Sequence, residues 1–203
     1  MAFKTSTGLT LGICVLASLP VRAAPNLPEQ APAPQVQVAG QRLKLNGVGV
    51  GRRLMFKVYA MGLYLPDRRD SMEDIVTRDE PRRLVIRMLR DVDADRFNEM
   101  LLEQAGRKTG GLPAPVAGPL MNLARLIGSQ PQGLRTGDVL TFDWVPGTGT
   151  LVELNNKAVT EPLRGAGLYL ALLDIWLGEQ PADPALKVQL LGQGERSPGR
   201  TYH

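Results

Sequence analysis

The chain has 203 residues, 43% of them hydrophobic, 22% charged and 5% aromatic, a balance that suits one globular domain with a single sizeable core. Its one cysteine, Cys14, and its one histidine, His203, stand at opposite ends, which excludes a disulfide framework, a Cys/His zinc site, a Cys–His dyad and a Ser–His–Asp triad in the body of the chain. The formal net charge of +4 comes without a basic block or an aromatic-interleaved basic stripe, so no nucleic-acid partner is expected, and neither a cofactor nor a metal.

Lys4 precedes the apolar run Leu9–Leu19, Pro20 breaks that run, and Val21-Arg-Ala23 offers small residues before a cut. This is the three-part layout of a secretory signal peptide over residues 1–23, and the run is shorter than the roughly 20 residues a bilayer-spanning helix needs. Cleavage near Ala23 makes the protein periplasmic or secreted, with no membrane span in the mature chain. Losing Lys4 and Arg22 from the 24 basic residues leaves 22 against 20 acidic, a formal charge of +2. Residues 24–34 are too rich in proline for helix or sheet and read as an extended linker.

Ordered structure is expected to begin at Gln35-Val-Gln-Val38, where apolar and polar residues alternate, and Arg42-Leu-Lys-Leu45 repeats that pattern after Gly40. Asn46-Gly-Val-Gly-Val-Gly51 reads as a glycine-rich turn. It lacks the spacing of a dinucleotide loop and leads into a strand, Leu54 to Leu65, not a helix. Arg83–Leu89 is a further strand. Asp93 can cap a helix carrying Phe97, Met100, Leu101 and Ala105 on one face. Leu120, Leu123, Ala124 and Ile127 mark a second helix that stops at Gly128. Val139–Val145 and Thr150–Leu154 form a hairpin, and Asn155-Asn156 turns into Lys157-Ala-Val159. Gly167–Leu177 is apolar on nearly every face, as a buried helix would be, and Asp183-Pro184 starts a last helix that ends at Gly192. From residue 193 the chain is polar, with glycine and proline, and reads as a loose tail. Strands in runs, with helices between and after them, give the α+β class, an antiparallel sheet with helices packed on one face and no domain break within residues 35–192.

Asn46-Gly-Val-Gly-Val, Phe56-Lys-Val-Tyr-Ala-Met-Gly-Leu-Tyr-Leu65 and Asp174-Ile-Trp-Leu-Gly-Glu-Gln-Pro181, in that order, resemble the chalcone isomerase-like family, in particular its exported bacterial branch. The resemblance covers residues 35–192 and implies an open-faced β-sandwich, a large antiparallel sheet with helices on one face and a cleft between them. It also implies a set of cleft residues in the plant enzymes that cyclise chalcones, and the chain departs from each of them. The family arginine falls on Gly51, with Arg52 and Arg53 directly after it. The strand threonine falls on Tyr59, the helix tyrosine on Phe97, the asparagine on Gln104 and the late hydroxyl residue on Ile175. Cyclisation needs a group that stabilises a phenolate and a proton donor to an enolate. Phe97 and Ile175 supply neither, so the plant reaction is not expected.

Non-catalytic members of the family hold fatty acids with an arginine and a tyrosine on the carboxylate. A guanidinium gives paired donors, a phenol a third, and an apolar cleft takes the chain. By that resemblance Arg52, Arg53 and Tyr59 are candidate ligand-binding residues, beside the alternatives that the two arginines are solvated and Tyr59 a core residue. Arg87, interrupting an otherwise apolar strand, is a fourth candidate unless it pairs with Asp91. Asp91 and Asp93 lie close enough for acid–base work, but a helix start already explains Asp93. Trp144 and Trp176 read as packing residues. The expectation is a binding protein for a fatty acid or similar amphipathic small molecule. The alternatives are an isomerase or lyase using Tyr59 and an arginine, and a structural or assembly partner of another protein with no small ligand.

Overall fold

The computed structural model describes residues 32–106, 112–129 and 133–193. The leader, most of the proline-rich stretch and all but the first residue of the tail lie outside them. Seven strands form one sheet in chain order: β1 (Gln35–Val38), β2 (Gln41–Arg53), β3 (Phe56–Leu65), β4 (Arg82–Met88), β5 (Val139–Val145), β6 (Gly149–Leu154) and β7 (Lys157–Ala158). Every neighbouring pair is antiparallel. Helix α1 (Met72–Thr77) joins β3 to β4, α2 (Ala94–Gly106) and α3 (Ala114–Gly128) join β4 to β5, and α4 (Ala166–Leu177) and α5 (Pro184–Leu190) follow β7. This is the α+β class expected from the sequence, a curled antiparallel sheet with its helices on one face.

Alternation decides which side of each strand meets the helices. Met61, Leu63 and Leu65 of β3, Leu84, Ile86 and Met88 of β4, and Leu140 and Phe142 of β5 are buried with Phe97, Leu123, Leu172 and Trp176 from the helices in one continuous core. The other face carries a smaller cluster around Val38, Leu43 and Tyr64. There Arg83 and Asp143, directly opposite across β4 and β5, make two hydrogen bonds of 2.6 Å each. The last residues of the proline-rich stretch are part of this packing. Tyr64 donates its hydroxyl to the Ala33 carbonyl at 2.7 Å, and Leu45 donates to Pro34 at 3.0 Å.

Local chemistry sets the element ends. The Ser71 hydroxyl accepts from the Asp74 amide to start α1, and Arg82 turns back to close it, donating to the carbonyls of Ile75, Arg78 and Glu80. Asp183 caps α5 through the amides of Ala185 and Leu186, with Pro184 in the first turn. Asn155 and Asn156 both take positive φ in the β6–β7 turn, a conformation asparagine tolerates better than most residues.

The glycine-rich segment is not a turn. Gly47, Gly49 and Gly51 lie within β2 and pair with Leu63, Met61 and Tyr59 of β3, so all three point to the helical face. A Cβ on Gly47 would fall on the Gln189 and Leu190 carbonyls, and one on Gly49 on the side chains of Gln189 and Leu186. Three alternate glycines strip that face of side chains, and α5 lies directly on the strand backbone. Asn46 fixes the contact by donating to the carbonyls of Leu190 and Arg69 at 2.8 and 2.9 Å and accepting from the Arg69 amide at 2.7 Å.

Gly47→Ala should therefore lower unfolding stability by about 1–3 kcal/mol, because the α5 backbone must shift to admit one methyl group. Gly118→Ala, in a helix with open space around the added carbon, should be neutral or stabilising by up to about 1 kcal/mol. Denaturant titration of both variants checks the pair, and equal effects would count against direct helix-on-backbone packing.

Candidate functional site

A cleft of about 480 Å³ opens where the β2–β3 hairpin, the β4–α2 connection, the first turns of α2 and the α4–α5 connection meet. Its volume lies within the roughly 300–1,000 Å³ of small-molecule sites. Phe97 and Tyr59 are buried in it, with half-buried Val58, Val92 and Met100 beside them. Four arginines also line it, Arg52, Arg53, Arg90 and Arg96, all of them exposed. The cleft is thus apolar in its buried part, and its rim carries these four arginines together with the carboxylates of Asp91, Asp93, Glu103 and Asp183.

Three carboxylates of the same cleft, Asp91, Asp93 and Asp183, are engaged in holding the fold. Asp183 caps α5 with one oxygen and accepts from the Arg52 amide at 3.2 Å with the other. Asp93 accepts from the Asp95 amide at 2.9 Å at the start of α2. Asp91 accepts from the Arg135 guanidinium, the Thr136 amide and the Thr136 hydroxyl at 2.8, 2.8 and 2.9 Å. The Thr136 amide, the Arg135 guanidinium and the Thr136 hydroxyl, in that order of effect, hold the Asp91 carboxyl down at about 2, against an ordinary 3.8. The side chains of Arg52, Arg53 and Arg96, by contrast, have no carboxylate within ion-pair distance among the described residues.

Tyr59 is 5% exposed and points into the cleft from the core face of β3. Its hydroxyl accepts from the Trp176 indole at 2.9 Å, which leaves the phenol's own proton without an acceptor among the described residues. Burial pushes its pKa up to about 12, opposed by the Trp176 hydrogen bond and reinforced by the nearby Asp183 charge. At neutral pH Tyr59 is therefore a fixed, uncharged donor. The ring also lies where a side chain at residue 51 would have to go, since a Cβ on Gly51 would fall on it. Gly51 and Tyr59 are one arrangement: the absence of a side chain at the first makes room for the second.

Of the residues singled out in the sequence, the structure brings Arg52, Arg53 and Tyr59 together in this cleft. Arg87 is not with them. It alternates with Leu84, Ile86 and Met88, which face the helices, so it stands on the opposite face of β4. Nor does it pair with Asp91, which is held by Arg135. Phe97 and Ile175 are buried in the core, and the side chain of Gln104 lies outside the described residues. Arg90 and Arg96 were not evident in the sequence as cleft residues. One follows the end of β4 and the other lies in the first turn of α2, and only the tertiary fold places them beside Arg52 and Arg53. The Trp176–Tyr59 bond joins residues 117 apart in the chain, beyond any local signal.

Among the described residues no group of three or more metal-ligating side chains converges, and no helix is long and apolar enough to cross a membrane. The sequence model described as chalcone isomerase-like matches residues 25–192. The fold is similar to the crystal structure of a fatty-acid binding protein from Arabidopsis thaliana, with a TM-score of 0.56 and 16% sequence identity, covering 78% of this chain and 96% of that one. No curated protein sequence matches the chain.

Because Asp91 links the β4–α2 connection to the segment before β5, Asp91→Asn should lower the melting temperature at neutral pH. A depressed folded-state pKa gives stability that is present above the unfolded value of 3.8 and is lost as pH falls through about 2. The gap between wild type and variant should therefore close over that interval. Thermal melts across the acid range check it.

Proposed function

The chain belongs to the chalcone isomerase-like family, and from that premise we propose that its cleft binds a fatty acid or a similar amphipathic carboxylate without transforming it. The observation that carries this reading is the pairing of two cations with no carboxylate partner among the described residues, Arg52 and Arg53, with a neutral phenol donor, Tyr59, over an apolar depth. A carboxylate at the mouth takes paired hydrogen bonds from a guanidinium and a further one from the Tyr59 hydroxyl. The acyl chain lies against Val58, Val92, Phe97 and Met100, where apolar surface leaves water. The Arabidopsis protein of similar fold, itself a fatty-acid binding protein, supports the same class of ligand.

Tyr59 also weighs against the enzyme reading. A general acid works best with a pKa near the operating pH, and a phenol pushed up to about 12 holds its proton too firmly for that task. Residues where the plant reaction would need polar groups, Phe97 and Ile175, are packed in the core.

We also propose that the protein is a member of the exported bacterial branch and works in the periplasm, supported by the layout of residues 1–23. The intact mass of protein recovered from the periplasm should correspond to a chain starting near Ala24. Retention of Met1 and the whole apolar run in the recovered chain would overturn the export reading.

Native mass spectrometry of that protein, offered a series of fatty acids, should show a discrete adduct that is lost on denaturation. Replacing Arg52 and Arg53 together by alanine should weaken it by about 10–100-fold, the loss of charge-assisted hydrogen bonds worth about 1.5–3 kcal/mol. Tyr59→Phe should weaken it by a smaller factor while leaving the far-UV spectrum unchanged. A bare mass across the whole series, or an adduct indifferent to the double arginine variant, would overturn the proposal.

A further inference from the structure

The β2–β3 hairpin that carries the cleft arginines ends in a tip that solvent should not favour. Leu54 is 91% exposed, Met55 84% and Phe56 52%, three consecutive apolar side chains projecting from the fold. Scattered surface apolar residues need no explanation, but a contiguous exposed group does. The backbone sharpens the point. Arg53 pairs with Phe56, so Leu54 and Met55 form a two-residue turn, and Leu54 takes a φ of +55°. Glycine, asparagine or aspartate suits that place in a hairpin, and leucine is disfavoured there. Neither folding nor solubility accounts for a leucine in that conformation with its side chain in water.

The surroundings indicate what would cover the tip. Arg52 and Arg53 precede it, Lys57 follows it, and Arg90 stacks its guanidinium over the Phe56 ring at 4.7 Å, all four exposed. The side chains of Arg52, Arg53 and Lys57 have no carboxylate within ion-pair distance among the described residues. An apolar point flanked by four cations is complementary to a surface that presents anions outside and hydrocarbon just beneath. We propose that the hairpin tip docks on an anionic lipid bilayer, with Leu54 and Met55 inserted among the acyl chains and the surrounding cations on the head groups. Arg52, Arg53 and Val58 line the cleft as well as flank the tip, so docking turns the mouth of the cleft toward the lipid.

Docking depends on the exposed tip and its charges, and not on what the cleft holds. The test is co-sedimentation of the purified protein, its N-terminus fixed by intact mass, with vesicles of phosphatidylcholine alone or with phosphatidylglycerol. The wild type should partition onto the phosphatidylglycerol vesicles, and added salt should weaken it. Leu54→Ser with Met55→Ser should reduce partitioning by about tenfold or more, because binding scales with the apolar area inserted. Neither side chain lines the cleft, so the double variant should take up fatty acid in solution as the wild type does. Its melting temperature should not fall, since both side chains are exposed in the folded protein.

Equal partitioning of variant and wild type, or no partitioning of the wild type, would overturn the proposal. So would self-association or a stable protein complex that depends on Leu54 and Met55 while vesicles are ignored, which would assign the tip to a protein contact. Vesicle binding that depends on Leu54 and Met55 in a protein that takes no fatty acid would uphold the docking and overturn the cleft reading.

Discussion

The absence of side chains from one face of β2 is the constraint on which the site depends. With Gly47 and Gly49 bare, α5 rests on the strand backbone, and Asn46 ties the end of that helix to the sheet. The seating of α5 places Asp183, its cap, beside the end of β2, where the second carboxylate oxygen takes the Arg52 amide. The third bare position, Gly51, admits the Tyr59 ring, whose hydroxyl then reaches Trp176 on α4. One pattern of three glycines thus sets the height of a helix, the end of a strand and the direction of a phenol. A side chain at any of the three would move an element of the cleft wall.

The charges of the cleft divide by task. Asp91, Asp93 and Asp183 spend their acceptors on amides, a hydroxyl and Arg135, holding connections that would otherwise leave backbone donors unpaired. Among the described residues the side chains of Arg52, Arg53 and Arg96 pair with no carboxylate, and Arg90 stacks on Phe56. This asymmetry matters more than net charge, because acids and bases are equally numerous around the cleft. Among the described residues no ion pair has to be displaced for a ligand carboxylate to reach Arg52 or Arg53, so little of its binding energy is consumed in separating such partners. Tyr59, kept neutral by burial, adds a donor without adding charge.

Much of this architecture is legible in the sequence because it rests on local rules. The alternation in β4 and β5, the Asn155-Asn156 turn, the all-round apolar α4 and the Asp183-Pro184 start of α5 each carry their own signal. The same alternation puts Arg87 opposite Leu84, Ile86 and Met88, away from the helices, even though a charge in an apolar strand draws attention to itself. Helix α1 has six residues and one cap, too little periodicity to stand out. The glycines of β2 read as a turn because glycine is common in turns and weakens isolated strands. Only the later arrival of α5, whose contacts with β2 span 139 and 144 residues of chain, supplies the reason for them. Arg90 and Arg96 line the cleft, and Trp176 reaches Tyr59, through tertiary packing alone.

The family comparison takes on a physical meaning at Gly51. The resemblance places the family arginine there, inside the strand and on the helical face, and in this chain that space holds the Tyr59 ring. The cations come one and two residues later, past a shift in the β2–β3 register between Gly51 and Arg52. In the binding mode proposed for the cleft, the carboxylate is consequently held between exposed guanidinium groups at the rim and the buried Tyr59 hydroxyl, and the rest of the cleft is left to hydrocarbon. Recognition at the rim tolerates many head groups, because exposed guanidinium groups adapt, whereas a buried arginine would demand one geometry. Selectivity in such a cleft rests on the length and shape of the apolar part, which Phe97, Val92 and Met100 bound, and less on the acid that ends it.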